Sequence, residues 1–430
     1  MKIHANLGST QSAYRQVLGL PAFRMLWFGQ ICSQLAVNTL LFVLALRVYQ
    51  TTTSNTAVSG IFLAYSIPAI IFGLVAGTVV DRLDKRRVLV LCDIVRSLFV
   101  FILLFLSRQV VVVYVVTFIN AVITQFYVPS EAPLIPRIVP TELLVPANSL
   151  FSLTFYSSLA MGSILAGPLL RIFGPYGIFI VIAGLFLTAS LFSSKISSQS
   201  EGTIGFHYIM RYNIFAVIPE IWESLIEGVR YVTQSSALFN AIMLLTGTQI
   251  IMALLGSLGP GFADRVLHID IRDASLFIVG PAVLGILFGA LWVGTVGYVH
   301  KPERLINIGV QGAGSVLIII AILADLLAFK KLQWLYGTHI LLPTIMVLFF
   351  LLGIANSFLD VPSNAMLQER AHGSLHGRVY GILAAFVGGV GIVPVIAGGV
   401  LADTLGIGNV LLILGLLLMS YGIYRMRYNR

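Results

Sequence analysis

The chain has 430 residues, of which 58% are hydrophobic and only 10% are charged. In a soluble domain roughly a quarter of the residues are charged, so this composition excludes an ordinary soluble globular protein. The net charge of +9 could indicate a nucleic-acid-binding protein. The basic residues are instead scattered over short loops between apolar runs, which is typical of a membrane protein, and we expect no nucleic-acid partner.

Apolar runs of about 20 residues recur along the whole chain, and each is long enough to cross a lipid bilayer. The first run begins near Met25, is too long for a signal peptide and lacks a small-residue cleavage site, so we expect it to be retained. The sequence predicts twelve spans, at approximately residues 25–49, 57–80, 88–107, 110–128, 146–172, 176–194, 238–260, 274–298, 305–329, 338–360, 378–402 and 408–424.

The longest segment between spans, residues 195–237, divides the chain into two sets of six. We therefore predict an N-terminal half at 1–194, a cytoplasmic linker at 195–237 and a C-terminal half at 238–430. Apolar residues recur at helical spacing between Ile218 and Val232, which indicates an amphipathic helix on the inner surface. With both termini cytoplasmic, eighteen Lys and Arg residues lie on the inner side and six on the outer side, as the positive-inside rule requires.

The two halves also resemble each other in sequence. Val128–Ala132 (VPSEA) ends span four, and Val361–Ala365 (VPSNA) ends span ten, 233 positions later. A parallel repeat of this kind places the substrate site between the halves, near the middle of the membrane. The sequence thus predicts an all-α polytopic membrane protein with twelve transmembrane helices in two pseudo-symmetric six-helix halves.

A dense cluster of charges lies between spans two and three, in the stretch 77–87, which reads GTVVDRLDKRR. So short a loop forces its two flanking spans into an antiparallel hairpin, and its positive charge favours the cytoplasmic side. Asp81 stands at the very end of a span, where a carboxylate needs a cation or a helix N-terminus as its partner.

The spacing G-x-x-x-D-R before a basic cluster resembles the loop between the second and third helices of the major facilitator superfamily. The stretches 23–30 (FRMLWFGQ) and 126–130 (FYVPS) are similar to the branch of that family that contains bacterial macrolide-efflux proteins and the enterobactin exporter. The resemblance implies the major facilitator fold and transport across the cytoplasmic membrane.

In that family the loop motif forms a conformational latch that holds together the cytoplasmic ends of the second, fourth and eleventh helices. The resemblance implies that Asp81 faces the start of span eleven near Gly381, and that Arg86 reaches toward Glu131 at the end of span four. The predicted latch residues are Gly77, Asp81, Arg82, Arg86, Arg87, Glu131 and Gly381.

Asp93 and Arg96 stand three residues apart in span three, so they share one face of the helix. An ion pair inside the membrane is a functional-site hypothesis by default, and we predict that these residues are candidates for proton coupling. The alternative is that the pair only fastens span three to its neighbours.

Three polar residues of span one, Gln30, Gln34 and Asn38, follow one another at intervals of four and therefore share a face. They are candidates for contacts with substrate in the central cavity. The alternative is that they form hydrogen bonds between helices.

The sequence contains no phosphate-binding glycine loop after a strand and no nucleophile elbow, so we expect no catalytic residue and no cofactor. Cys32 and Cys92 both lie in apolar spans and are expected to be packing residues. His372 and His376, at spacing four in a loop, are expected to be solvated, and no metal site is predicted. Energy for transport must then come from an ion gradient or from the gradient of the substrate.

These features predict a monomeric secondary active transporter of the cell membrane, which exports an amphipathic small molecule by alternating access. The resemblance implies efflux of a macrolide-like drug or a siderophore, with the proton as the coupling ion of a multidrug-type antiporter. An importer or facilitator of a lipid-like or nutrient solute is an alternative within transport. A membrane sensor or scaffold that transports nothing is an alternative of another class.

Overall fold

The computed structural model describes residues 7–80, 83–196, 230, 232–295, 300–328, 340–370 and 375–428. Over these residues the chain forms helices and no β-strand, which confirms the predicted all-α class. The helices are α1 (Leu7–Gly19), α2 (Pro21–Thr52), α3 (Asn55–Val80), α4 (Lys85–Leu106), α5 (Val110–Glu131), α6 (Ile135–Ile138), α7 (Leu144–Ser194), α8 (Ser236–Arg265), α9 (Gly280–Thr295), α10 (Pro302–Ala328), α11 (Leu341–Arg370), α12 (Leu375–Thr404) and α13 (Ile407–Tyr428).

Ten helical stretches in the described part of the chain are long and apolar enough to cross a membrane. One of them includes all of α7, whose backbone leaves helical geometry at Gly174, with φ 72° and ψ 176°. The helix α7 therefore holds the predicted spans five and six, while α2 to α5 correspond to spans one to four and α8 to α13 to spans seven to twelve. Within α12, the stretch Val390–Thr404 is apolar but shorter than these ten.

Among the described residues, two helices were not predicted from the sequence, α1 and the single-turn α6. The helix α1 is too short and too polar to cross a membrane, but Val17 is fully buried and belongs to the same apolar cluster as Phe23 and Leu26 of α2. The amphipathic helix predicted within the central segment lies almost wholly outside the described residues.

The helix α4 has the inside-out pattern of a membrane helix. Its buried face carries charged and polar side chains, Asp93, Arg96 and Ser97. Its opposite face exposes large apolar side chains, with Leu98 61% and Phe105 70% exposed. This arrangement is stable only where the surroundings are apolar, so these exposed side chains face lipid.

The described residues form two compact units. The first unit contains α1, α2 as far as Leu44, α3 from Ile71, and α4 to α7, with α4 packed against both α5 and α7. The second unit contains the remaining parts of α2 and α3, at Ala45–Ile70, together with α8 to α13. Within the second unit α9 packs against α11, α10 against α11 and α13, and α8 against α11 and α12.

Candidate functional site

A buried ion pair lies on α4 in the first unit. Asp93 is 0% exposed and Arg96 is 1% exposed, and Arg96 Nη1 lies 3.4 Å from Asp93 Oδ1. The two residues are one helical turn apart, so the pairing predicted from their spacing is present. Charges buried this deeply in a membrane protein are costly unless they are paired and hydrogen-bonded.

Two neighbouring helices contribute hydroxyl groups to the pair. Ser33 of α2 donates a hydrogen bond of 2.8 Å to Asp93 Oδ1 and accepts one of 3.1 Å from Arg96 Nη1. Thr124 of α5 accepts a hydrogen bond of 2.8 Å from Arg96 Nη2. The ion pair therefore connects three helices, and any change in its charge state reaches α2 and α5 as well as α4.

Aromatic rings cover the guanidinium group of Arg96. Its central carbon lies 4.7 Å from the ring centroid of Tyr127 on α5 and 5.6 Å from that of Phe186 on α7. These are cation–π distances, and the rings exclude water from the charge. Three polar atoms at this site have no hydrogen-bond partner among the described residues: Asp93 Oδ2, Arg96 Nε and Tyr127 Oη.

Glu131 ends α5 one turn beyond Tyr127 and is only 7% exposed. Its Oε1 atom has no hydrogen-bond partner in the described part of the chain. The first unit thus holds a second buried carboxyl group on α5, close in sequence to the aromatic ring that covers Arg96.

The contact predicted between Arg86 and Glu131 is not formed in this structure. Arg86 Nη2 donates instead to the backbone carbonyl of Ser194, at the end of α7. At the start of α4, Asp84 is the N-cap and accepts hydrogen bonds from the backbone N–H groups of Arg86 (3.0 Å) and Arg87 (3.3 Å). This cap fixes the first turn of α4, and the end of α7 offers a free carbonyl at the negative end of its helix dipole.

The remaining latch residues are described only in part. Asp81 and Arg82 lie outside the described residues, while Gly77 lies in α3 and Gly381 in α12. Arg87 is largely exposed and forms an ion pair of 3.3 Å with Asp84.

The three polar residues of span one differ in their surroundings. Gln30 is buried and donates a hydrogen bond of 3.4 Å to the backbone carbonyl of Phe151 on α7. Asn38 donates to the carbonyl of Gln34 within α2, and both side chains are partly exposed. Asn38 also lies against Gly162 of α7, where an added Cβ would stand 2.7 Å from Asn38 Cβ.

Sequence reasoning did not identify Thr124 and Tyr127 as partners of Arg96. They stand three residues apart on α5, which is the spacing of one helix face, and this was the available signal. Asp84 was also missed as the cap of α4, although an aspartate directly before a helix is a preferred N-cap residue.

Comparison with known proteins gives one family match. The family described as Major Facilitator Superfamily matches residues 26–341, which is most of the chain. The chain is 23% identical over 386 residues to the uncharacterized MFS-type transporter YfiS of Bacillus subtilis, covering 89% of this chain and 87% of the relative. It is 22% identical over 414 residues to macrolide efflux protein A of Streptococcus pyogenes, covering 93% of this chain and 94% of the relative.

A third relative is the multidrug efflux pump Tap of Mycolicibacterium fortuitum, 24% identical over 373 residues, with 84% of each chain covered. Among solved structures, a POT family transporter in complex with a thioalcohol-conjugated peptide superimposes with a TM-score of 0.71 at 13% identity. That match covers 95% of this chain and 96% of the other, and it shows a shared fold.

Proposed function

The chain belongs to the major facilitator superfamily, and from this premise we propose that it exports an amphipathic small molecule across the bacterial cell membrane in exchange for protons. Its two halves, residues 1–194 and 238–430, would alternate in exposing a central cavity to either side. Both termini are cytoplasmic in this proposal, and the protein works as a monomer.

The observation that carries the proposal is the buried pair of Asp93 and Arg96. A carboxylate that is held in the membrane by a single arginine and a serine is a suitable proton acceptor, because a proton on it neutralises the negative member of the pair. Arg96 is then released from its electrostatic partner while it still contacts Thr124 and Tyr127. Binding and release of a proton on α4 would in this way shift α2 through Ser33.

The location of the pair supports coupling to the cargo. Ser33 belongs to the same helix as Gln30, Gln34 and Asn38, the proposed cavity contacts on α2. Gln30 and Ser33 are both buried, while Gln34 and Asn38 are partly exposed, so we assign direct contact with the cargo to the latter two. A proton on Asp93 would therefore act on the same helix that binds the cargo.

Export rather than import is supported by the names of two relatives, a macrolide efflux protein and a multidrug efflux pump. We propose a macrolide-like drug or a siderophore as the cargo. The inner latch retains Gly77, Asp81, Arg82, Arg87 and Gly381 in the roles that the resemblance implies. Arg86 holds the end of α7 through Ser194, and Glu131 contributes as a buried acid.

The proposal is tested with the purified protein in inverted vesicles that have an acidic lumen and a pH-sensitive dye. Macrolides, siderophores, dyes and lysophospholipids are added one class at a time. We expect one class to cause proton release from the lumen, and we expect Asp93→Asn to abolish it. Glu142→Gln, which removes an exposed carboxylate, is the matched control and should leave proton release unchanged.

The alternatives give different results. An importer would couple the cargo to protons only when the cargo is loaded into the lumen of the inverted vesicles. A sensor or scaffold would bind a compound, as measured by a thermal shift, without moving protons or the compound. If Asp93→Asn releases protons as the native protein does, Asp93 has no part in coupling.

A further inference from the structure

A second carboxylate, Asp403 near the end of α12, has more hydrogen-bond partners than any charged group of the candidate site. It receives hydrogen bonds from the start of α3, within the second unit: from the Ser54 hydroxyl (2.6 Å), the Asn55 backbone N–H (3.0 Å) and the Asn55 side-chain amide (3.0 Å). Thr56 adds its backbone N–H (3.0 Å) and its hydroxyl (2.8 Å). The carboxylate therefore caps the N-terminus of a helix that is more than 340 residues away in sequence.

A third helix joins this contact. Arg265, the last residue of α8, lies 3.2 Å from Asp403 Oδ1 and also donates to the backbone carbonyl of Thr53. The short connection between α2 and α3 thus contacts both α8 and α12. We call Ser54, Asn55, Thr56, Arg265 and Asp403 the clasp.

One further hydrogen bond stands beside the clasp. Tyr49 of α2 donates a hydrogen bond of 3.0 Å to Asp264 of α8. Tyr49 is buried, at 1% exposed, so this bond fastens the end of α2 to α8 independently of Asp403.

The helices approach so closely here that glycine is required. A Cβ added to Gly399 of α12 would stand 3.0 Å from the Asn55 carbonyl oxygen and from Thr56 Cα, and it would overlap the Ser59 hydroxyl. A Cβ on Gly261 of α8 would overlap the side-chain amide of Asn55. The start of α3 is therefore fitted between α8 and α12, and small residues at both contacts make this fit possible.

The chemistry of the clasp favours a strong but reversible contact. Backbone N–H groups at a helix N-terminus carry partial positive charge, and hydrogen bonds from them to a carboxylate are charge-assisted. The side chains of Asp403 and Arg265 remain 21% and 39% exposed, so water can replace each bond when the helices separate.

We infer that the clasp is a gate that closes the central cavity to the outer side. This inference rests on the proposed function, because it uses the proposed topology and alternating access. In that topology α2 and α3 belong to the N-terminal half, whereas α8 and α12 belong to the C-terminal half, and the clasp lies at their outer ends. Opening to the outside separates the halves at this end. The hydrogen bonds that Ser54, Asn55 and Thr56 donate to Asp403, and the one that Arg265 donates to Thr53, must then break, whereas the ion pair of Arg265 and Asp403 stays within the C-terminal half.

The clasp also explains how contacts at the two ends of α3 and α12 could form in alternation. The proposed inner latch acts on the last turn of α3 and the first turns of α12, and the clasp acts on the first turn of α3 and the last turn of α12. In the clasp, an aspartate at the C-terminal end of α12 meets the N-terminal end of α3. The family resemblance implies the reverse arrangement for the inner latch, with Asp81 facing the start of span eleven. Rocking of the halves breaks one contact as it makes the other, so Asp403 sets the balance between the two states.

The test measures access to a single cysteine from the outer side. Ser66→Cys is introduced into a Cys32→Ser, Cys92→Ser background; Ser66 lies ten residues from Thr56, about 15 Å further along α3. It lines a cavity of about 40 Å³ with Phe62 and Gln249. A membrane-impermeant maleimide is applied to intact cells and, separately, to inverted vesicles.

Asp403→Asn should raise the labelling rate from the outer side by at least about tenfold, because charge-assisted hydrogen bonds are the strong ones. The matched control is Asp270→Asn. Asp270 also caps a helical turn, through the Arg272 backbone N–H at 2.9 Å, and pairs with the Arg272 side chain at 3.9 Å, but all its bonds stay within one loop. The Asp270→Asn variant should be labelled at the same rate as the Ser66→Cys protein without it.

An unchanged rate in Asp403→Asn, or a rise only in inverted vesicles, would overturn the inference. If Asp403→Asn does not accumulate in the membrane, the pair Ser54→Ala and Thr56→Val removes two hydroxyl donors and keeps the carboxylate. That variant should give a smaller rise from the outer side, and no rise would again overturn the gate. Labelling needs neither cargo nor protons. The labelling result can therefore be interpreted even if the vesicle assay contradicts the export proposal.

Discussion

Arg96 Nη2 donates a hydrogen bond of 2.8 Å to Thr124 Oγ1, and through it the charge of α4 is anchored to α5. The same guanidinium contacts Asp93 and Ser33 through its other terminal nitrogen. One arginine side chain therefore organises three helices of the first unit.

The first prediction separates the stability of this site from its function. Arg96→Met leaves Asp93 buried without a cation and should destabilise the protein by about 3 kcal/mol, since removal of one partner of a buried pair leaves an uncompensated charge. The double variant Asp93→Asn, Arg96→Met should recover most of that loss while remaining inactive in proton release. Thermal unfolding in detergent measures the first effect and the vesicle assay measures the second.

Two results would contradict this account. Equal unfolding midpoints for Arg96→Met and the double variant would mean that Asp93 carries no uncompensated charge once Arg96 is removed. Proton release by the double variant would mean that coupling lies elsewhere. Thr124→Val, which keeps the ion pair and removes one hydrogen bond, is the control and should cost only about 1 kcal/mol.

The second prediction concerns Arg86 and Glu131, which do not contact each other in the structure. Arg86→Ala should weaken the attachment of α4 to the end of α7 at Ser194. Glu131→Gln should change stability little, because the amide fills the same space without a charge. In a double-mutant cycle the two effects should add to within about 0.5 kcal/mol, as they do for residues without a shared partner.

That cycle is compared with the one for Asp93 and Arg96, where we expect strong coupling. A coupling energy between Arg86 and Glu131 well above 1 kcal/mol would be evidence for the direct contact that the family resemblance implies.

The sequence was informative where the physics is local or periodic. Apolar runs predicted the spans, and the spacing of Asp93 and Arg96 predicted their pairing, because both follow from the geometry of a single helix. The partners on other helices, Ser33 and Thr124, depend on how each helix is rotated in the bundle, which no single segment specifies. The contact of Arg86 with the Ser194 carbonyl likewise joins two helices, α4 and α7, whose packing no single segment specifies.

The clasp shows a further limit of local reasoning. Asp403 and Ser54 are 349 residues apart, and neither stands in a motif that predicts the other. A signal did exist in the composition of the helix ends, since Ser54 and Asn55 are preferred N-cap residues and Gly399 permits close approach. These features indicate that a helix begins and that helices pack closely, but they do not identify which helices contact each other.

The third prediction concerns the bend inside α7. Gly174 has φ 72°, a backbone conformation that residues with a side chain rarely adopt, and it separates spans five and six. Gly174→Ala should lower the unfolding free energy by about 1 to 2 kcal/mol. Gly184→Ala, in the same helix with open space around the new methyl group, should be neutral or slightly stabilising. Equal effects of the two substitutions on thermal unfolding would argue against strain at the bend.

The last prediction tests the fit of α3 against α12 without changing any charge. Gly399→Ala places a methyl group against the Ser59 hydroxyl and 3.0 Å from the Asn55 carbonyl oxygen, so the two helices must move apart and the clasp must lengthen. We expect faster labelling of Ser66→Cys from the outer side, and partial reversal when Ser59→Ala removes the hydroxyl. Reversal stays incomplete because the backbone contact remains. Gly312→Ala, whose methyl group would meet only Ala355 Cβ at an ordinary 3.6 Å, is the control and should leave labelling unchanged. If Gly399→Ala labels no faster than this control, close packing at Gly399 does not hold the gate, and the hydrogen bonds of Asp403 alone would have to keep it closed.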